Sequence, residues 1–224
     1  MKILIDDKLQ RASGMPAEVL SPALSDKYTT AVIFNAVFDE SEVVDCIGVG
    51  YTDATEIEVT DGSDSVTVTI AASNKNGLYL LGETFESDTL TIEHNGTYIG
   101  RIALGKYRTL GTSPTKEIGF YTTNESRKTL SGQVIPGAGG YSGRRFEADV
   151  RYKIDEDIYE DIATAYNDQI SKGFPYFLLL DDEQHKVPAS MLHFYATTKQ
   201  PLSLLQSSTY KFLYSYKFSF MEAF

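Results

Sequence analysis

Over much of the first half of the chain, hydrophobic and polar positions alternate with a period of two. In Ser65 to Ile70, Val66, Val68 and Ile70 share one face while Thr67 and Thr69 share the other, the spacing of a half-buried strand. Glu56 to Thr60 alternates in the same way, Leu90 and Ile92 repeat it, and Thr30 to Phe34 is short and β-branched. Val43 to Tyr51 is a longer apolar run broken by Gly48 and Gly50. The pair Asn95-Gly96 suits a type I′ hairpin turn, in which both central residues take positive φ, and predicts a return strand from Thr97 to Leu104. Several short strands with almost no helical pattern predict a β-sandwich.

The second half changes period. From Arg145 to Ile154, Phe146, Ala148, Val150, Tyr152 and Ile154 fall on one face and Arg145, Glu147, Asp149, Arg151 and Lys153 on the other, which predicts a half-buried strand. Ile158, Ile162, Tyr166 and Ile170 then recur every four residues and predict a helix over Asp155 to Ser171. Acidic residues at 155–157 suit its positive end, Lys172 its last turn, Gly173 its left-handed C′ position, and Pro175 stops it. Tyr176 to Leu180 reads as a short apolar strand and Thr209 to Phe220 as a long one. In the latter, Tyr210, Phe212, Tyr214, Tyr216, Phe218 and Phe220 share a face. Such an aromatic face predicts a core or a subunit interface rather than a sugar platform, and the chain has no Trp.

Composition narrows the functional classes. The 224 residues allow one large domain or two small ones, and 42% hydrophobic with 23% charged residues is a globular mix. A net charge of -11 has the wrong sign for a protein that neutralises phosphates, so nucleic acid is excluded as the main partner. Residues 1–110 carry 8 basic and 17 acidic side chains, a net of -9, whereas residues 111–224 carry 12 and 14, a net of -2. The shift coincides with a Gly-, Ser-, Thr- and Pro-rich stretch from Gly111 to Gly143. These features predict three parts: a β-sandwich at 1–110, a connecting arm at 111–144, and an α+β domain at 145–224 with one main helix on an antiparallel sheet. The apolar start Met1 to Ile5 is too short for a signal-peptide core, and no segment has the roughly 20 apolar residues that span a bilayer, so no membrane insertion is expected. A single cysteine, Cys46, forms no intrachain disulfide, and its apolar neighbours predict an inert, buried thiol.

Candidate chemistry is sparse. Asp181-Asp182-Glu183-Gln184-His185 could hold a metal or share proton transfer, but it matches no metal-ligand spacing and reads as a solvated turn. His94 and His193 have no second ligand nearby. Gly137 to Arg145 is glycine-rich but precedes a strand and lacks the lysine of a P-loop, and no Gly-x-Ser-x-Gly is present. No catalytic residue, cofactor or metal is expected.

Two stretches carry a resemblance. Val43 to Val59, with Tyr98-Ile99-Gly100-Arg101-Ile102-Ala103-Leu104-Gly105, resembles the discoidin or galactose-binding-like jelly roll. The Gly-rich stretch, the strand from Arg144, the helix and Lys172-Gly173-Phe174-Pro175-Tyr176-Phe177-Leu178-Leu179-Leu180-Asp181 are similar to minor structural proteins of tailed bacteriophages. The resemblance implies a non-enzymatic virion component of the tail or tail tip, assembled in the host bacterial cytoplasm. Its partners would be itself and other phage tail proteins. The alternative is a carbohydrate-binding module that recognises a cell-surface glycan of the host through loops of the first half. Interface residues are expected at Arg144 and Arg145, at the end of the arm where they could meet an acidic neighbour, and at Tyr210, Tyr214 and Tyr216.

Overall fold

The computed structural model describes residues 2–4, 6–21, 28–29, 32–70, 76–109, 115–123, 127–128, 134–135, 141–153, 175–180, 193–197, 203–206 and 213–222. The first elements are β1 (Lys2–Leu4), a 3-10 turn (Lys8–Arg11), the one-turn helix α1 (Ala17–Leu20), β2 (Ile33–Thr52), β3 (Glu56–Thr60), β4 (Ser65–Thr69), β5 (Asn76–His94), β6 (Ile99–Gly105) and β7 (Tyr107–Thr109). There follow β8 (Thr115–Thr123), β9 (Arg127–Lys128), β10 (Val134–Ile135), β11 (Tyr141–Lys153), β12 (Tyr176–Leu179), β13 (His193–Thr197), β14 (Ser203–Gln206) and β15 (Leu213–Glu222). The chain is mostly β, as its alternation predicts, with two large antiparallel sheets and very little helix among the described residues. The helix expected over Asp155 to Ser171 lies outside them.

One sheet has the order β4-β3-β5-β2-β6 and is built on the long pair β2 and β5. Their length corrects the expectation of several short strands: Ile33 and Phe34, from the run read as one short strand, and Val43 to Tyr51, read as another, lie in one strand, joined through irregularities rather than through a turn. The register shifts between Val37 and Glu42 and again between Val44 and Cys46. At the second shift four residues of β5, Leu81 to Thr84, stand against Asp45 alone, and Gly82 takes φ +77 there, a conformation that costs a residue without Cβ nothing. In β2 the first shift leaves even-numbered residues facing the main core, and the second switches the inward face to odd-numbered ones. Phe34, Ala36, Phe38 and Val44 of β2 therefore share the main core with Ile47 and Val49, while Cys46 between them turns to the opposite face.

The main core takes side chains from all five strands, among them Ile57, Val59, Val68, Leu90, Ile92, Ile102 and Leu104, and is capped by Leu9 of the 3-10 turn and Val19 of α1. The predicted Asn95-Gly96 hairpin does not form. Neither residue has positive φ. The obstacle is occupancy: Thr91 and Ile92 of β5 already pair with Asn35 and Phe34 of β2 on one side and with Thr60 and Val59 of β3 on the other. With both edges taken, the chain crosses instead to the free edge of β2, where Cys46 to Thr52 pair with Gly105 to Ile99 of β6.

The second sheet runs β7-β1-β12-β13-β15-β11-β8, with β14 also on β15. It joins the start of the chain to its end, since Lys2 and Ile3 pair with Leu179 and Leu178 on one side and with Thr109 and Arg108 on the other. The stretch read as an arm contributes β8, an unbroken partner for the first nine residues of β11. Its alternation of Ile118 and Phe120 was diluted by surrounding Gly, Ser and Thr, although threonine itself favours strands.

The two sheets meet through a smaller cluster of Leu4, Cys46, Leu78, Ala103, Phe177 and Tyr195. The Phe177 and Tyr195 rings lie 4.5 Å apart at 37°. Phe177 packs directly onto the backbone of β2 at Gly48, where any Cβ would fall inside the ring's van der Waals envelope. Gly48→Ala is therefore expected to cost about 1–3 kcal/mol by overpacking, and Phe177→Ala about 3–5 kcal/mol through the cavity it leaves. In urea unfolding of both single variants and the double variant, the double variant should lose clearly less than the sum, because removal of the ring relieves the clash.

Candidate functional site

The structure places the expected interface residues as follows. Arg144 and Arg145 do not end an arm; they are interior positions of β11, opposite Phe120 and Gly119 of β8. Arg145 is exposed and forms an ion pair with Glu147, two residues along on the same face. Glu147 stands opposite Glu117 in the register of β11 and β8. Tyr214 and Tyr216 lie on β15, opposite Tyr152 and Val150 of β11 and Gln206 and Leu204 of β14. Both edges of β15 are paired at these positions, so the strand could meet a partner only through a face. Tyr210 and the run Asp181 to His185 lie outside the described residues. Among the described residues no group of three His, Cys, Asp or Glu side chains could hold a metal, and no helix is long and apolar enough to cross a membrane.

A loop cluster missed in the sequence stands at the end of β2. Tyr51 takes φ +52, which is unusual for a residue with a Cβ, and its N–H donates to Asn76 Oδ1 at 2.8 Å. Its half-buried ring lies 5.6 Å from that of Tyr98. Asp53 holds the facing loop: Oδ1 accepts from the N–H of Thr97 at 2.8 Å and of Tyr98 at 3.1 Å, and Oδ2 from the Thr97 hydroxyl at 2.5 Å. Asn95 clamps the other side, its Oδ1 accepting from the N–H groups of Thr55 and Glu56. The Asn95-Gly96 pair carried a turn signal; its meeting with Thr52-Asp53-Ala54-Thr55 over 40 residues of sequence did not.

The N-terminal segment is fastened by a buried ion pair. Arg101 of β6 donates from Nη2 to Asp7 Oδ2 at 2.7 Å and from Nη1 to the Leu20 carbonyl, with the two side chains only 5% and 8% exposed. Asp7 also accepts from the N–H groups of Leu9 and Leu104 and from Gln10 Nε2. Burial is the largest influence on the Asp7 carboxyl and pushes it upward, against Arg101 and these hydrogen bonds. Next to it, Asp6, Lys8, Arg11 and Glu42 form a more exposed network. The signal for the pair was a lone arginine inside an otherwise apolar strand, a residue that is almost never fully buried without a partner. Cys46 is fully buried, donates to the Gly105 carbonyl at 3.3 Å, and has its thiol pushed far up by burial and Asp45, as expected of an inert core thiol.

No family model and no curated protein matches this sequence. Among solved structures, 42% of the chain is similar to 90% of CpGH89CBM32-6 produced by Clostridium perfringens, at 13% identity and a TM-score of 0.29. A likeness of that size carries no argument about function.

The ion pair is expected to respond asymmetrically to substitution. Asp7→Ala strands a guanidinium that cannot lose its proton and should cost about 3–5 kcal/mol. Arg101→Met leaves a carboxyl that can take up a proton. Its cost should be smaller and should shrink as pH is lowered, because a raised folded-state value makes protonation favour the fold. Chemical denaturation at several pH values checks both. Asp53 behaves oppositely: burial acts upward on it but is outweighed by the hydrogen bonds from Thr97 and Tyr98, which hold it below the ordinary 3.8. Its contribution is present above that value and is lost as pH falls through the lower folded value. Asp53→Asn should flatten the acid limb of a plot of Tm against pH.

Proposed function

We propose that this chain is a structural, self-associating component of a bacteriophage tail or tail tip that works by binding rather than by catalysis. The observation that carries the reading is the second sheet, in which β1, paired on one edge with β7 of the first 109 residues, pairs on the other with β12 from the remainder. Both ends of the chain are thereby built into one scaffold, tied to the first sheet through Phe177, Tyr195 and Leu4. A body tied together in this way suits assembly. The phage setting comes from the resemblance of the Gly-rich stretch, the β11 sequence and the run Lys172 to Asp181. The finer fold belongs to the same reading: a galactose-binding-like jelly roll in residues 1–110, and an α+β assembly unit in residues 145–224 helped by one helix.

The Tyr51 and Tyr98 pair supports a second reading, a glycan-binding module. Two tilted rings beside hydrogen-bonding loops offer a stacking surface at the end of the first sheet. Particles induced from the source strain distinguish the two. Mass spectrometry should find the chain in purified particles, and antibody gold should mark the tail or its tip. Absence from particles by both methods, with saturable glycan binding by the full chain that is lost in Tyr98→Ala, would replace the first reading with the second.

A further inference from the structure

The ends of the two sheets differ in how far they are blunted. β7 is three residues long and β4 five. The outer edge of β6 is covered, for Ile99 exchanges backbone hydrogen bonds with Tyr28, and the Leu104 N–H is taken by Asp7. The outer edge of β5 before its β3 pairing carries the Gly82 bulge and the acidic Glu83, Glu86 and Asp88. Short strands, bulges, charge and cover are the ways in which a fold keeps an edge from recruiting another strand. Among the described residues β8 has no bulge and no strand paired on its outer edge, and its charges are confined to Lys116 and Glu117. It has nine residues with no proline, pairs with β11 in an unbroken register from Thr115↔Asp149 to Thr123↔Tyr141, and is the terminal strand of the sheet.

We infer that β8 is the self-association surface, pairing antiparallel with β8 of a second copy about a two-fold axis at Gly119. This rests on the self-associating reading above and names its site. In that register all nine residues pair. Ile118 stands opposite the second copy's Phe120 twice over, Glu117 opposite Tyr121, and Lys116 opposite Thr122, so that no like charges face each other. Registers centred on Lys116 or Glu117 would set like charges together. A two-fold axis makes the contact isologous and closed, and joins the two eight-stranded sheets into one.

Tyr121 gives a test with two opposite signs. It stands opposite Gly143 within its own sheet. Tyr121→Glu sets a carboxylate against Glu117 of the second copy at two symmetric places, and should raise the dimer dissociation constant roughly tenfold in sedimentation equilibrium, less so in high salt. Tyr121→Lys sets an ammonium there and should leave it unchanged or lower it. Gly119→Cys provides a readout that does not depend on either variant: with Cys46 buried, the full-length chain should oxidise to a covalent dimer through residue 119. Association that ignores the sign of the charge at 121, with no crosslink at 119, overturns the β8 contact and leaves self-association standing through another surface. A chain that stays monomeric at every concentration overturns both.

Discussion

The seat of Phe177 on the backbone of Gly48 is the contact on which the rest of the architecture depends. It allows β2 to be covered on both faces, with Ile47 and Val49 in the main core and Cys46 and Gly48 against the second sheet. β6 shares this position and is buried along its whole length. Strands covered on both sides need near-continuous apolar sequence, and Val43 to Tyr51 and Ile99 to Gly105 are the runs that supply it. A side chain larger than hydrogen at position 48 would hold the sheets apart and expose that surface.

Double burial also sets the polar problem that the N-terminal segment solves. The outer edge of β6 would leave N–H groups and a guanidinium without water; Tyr28, Asp7 and the Leu20 carbonyl take them up. Asp7 does this while capping the 3-10 turn that brings Leu9 into the core. The arrangement gives specificity of placement more than net stability, since a desolvated pair repays little beyond its own burial. Its worth is that residues 6–21 have one place to lie.

For function, the consequence is a scaffold whose described polar clusters are mostly committed to holding loops and segments in place. Asp53, Asn95 and Asp7 each satisfy several backbone donors, which leaves little of their chemistry for a substrate. What the fold offers to others is backbone and surface: the regular edge of β8, and the paired rings of Tyr51 and Tyr98. Both are of the kind that recognise shape and register, as the proposed binding role requires.

Period-two alternation over Glu56 to Thr60, Ser65 to Ile70 and Arg145 to Ile154, and the apolar run Tyr176 to Leu180, pointed to β3, β4, β11 and β12, and apolar context alone marked Cys46 as core, because these depend on which faces of a single strand meet water. What local pattern could not reach is partnership. The union of Ile33 and Phe34 with Val43 to Tyr51 depends on two bulges, the second of which switches the inward face of β2 from even to odd residues. The failure of the Asn95-Gly96 hairpin depends on β3 and β2 having already claimed both edges of β5. The pairing of β1 with β12, and of Asp7 with Arg101, joins residues whose separation along the chain carries no periodic signal. Sequence determined the faces of the strands, since each residue carries its own preference for water; only the tertiary structure decided the neighbours, because a strand's edge is alike to every other until one of them occupies it.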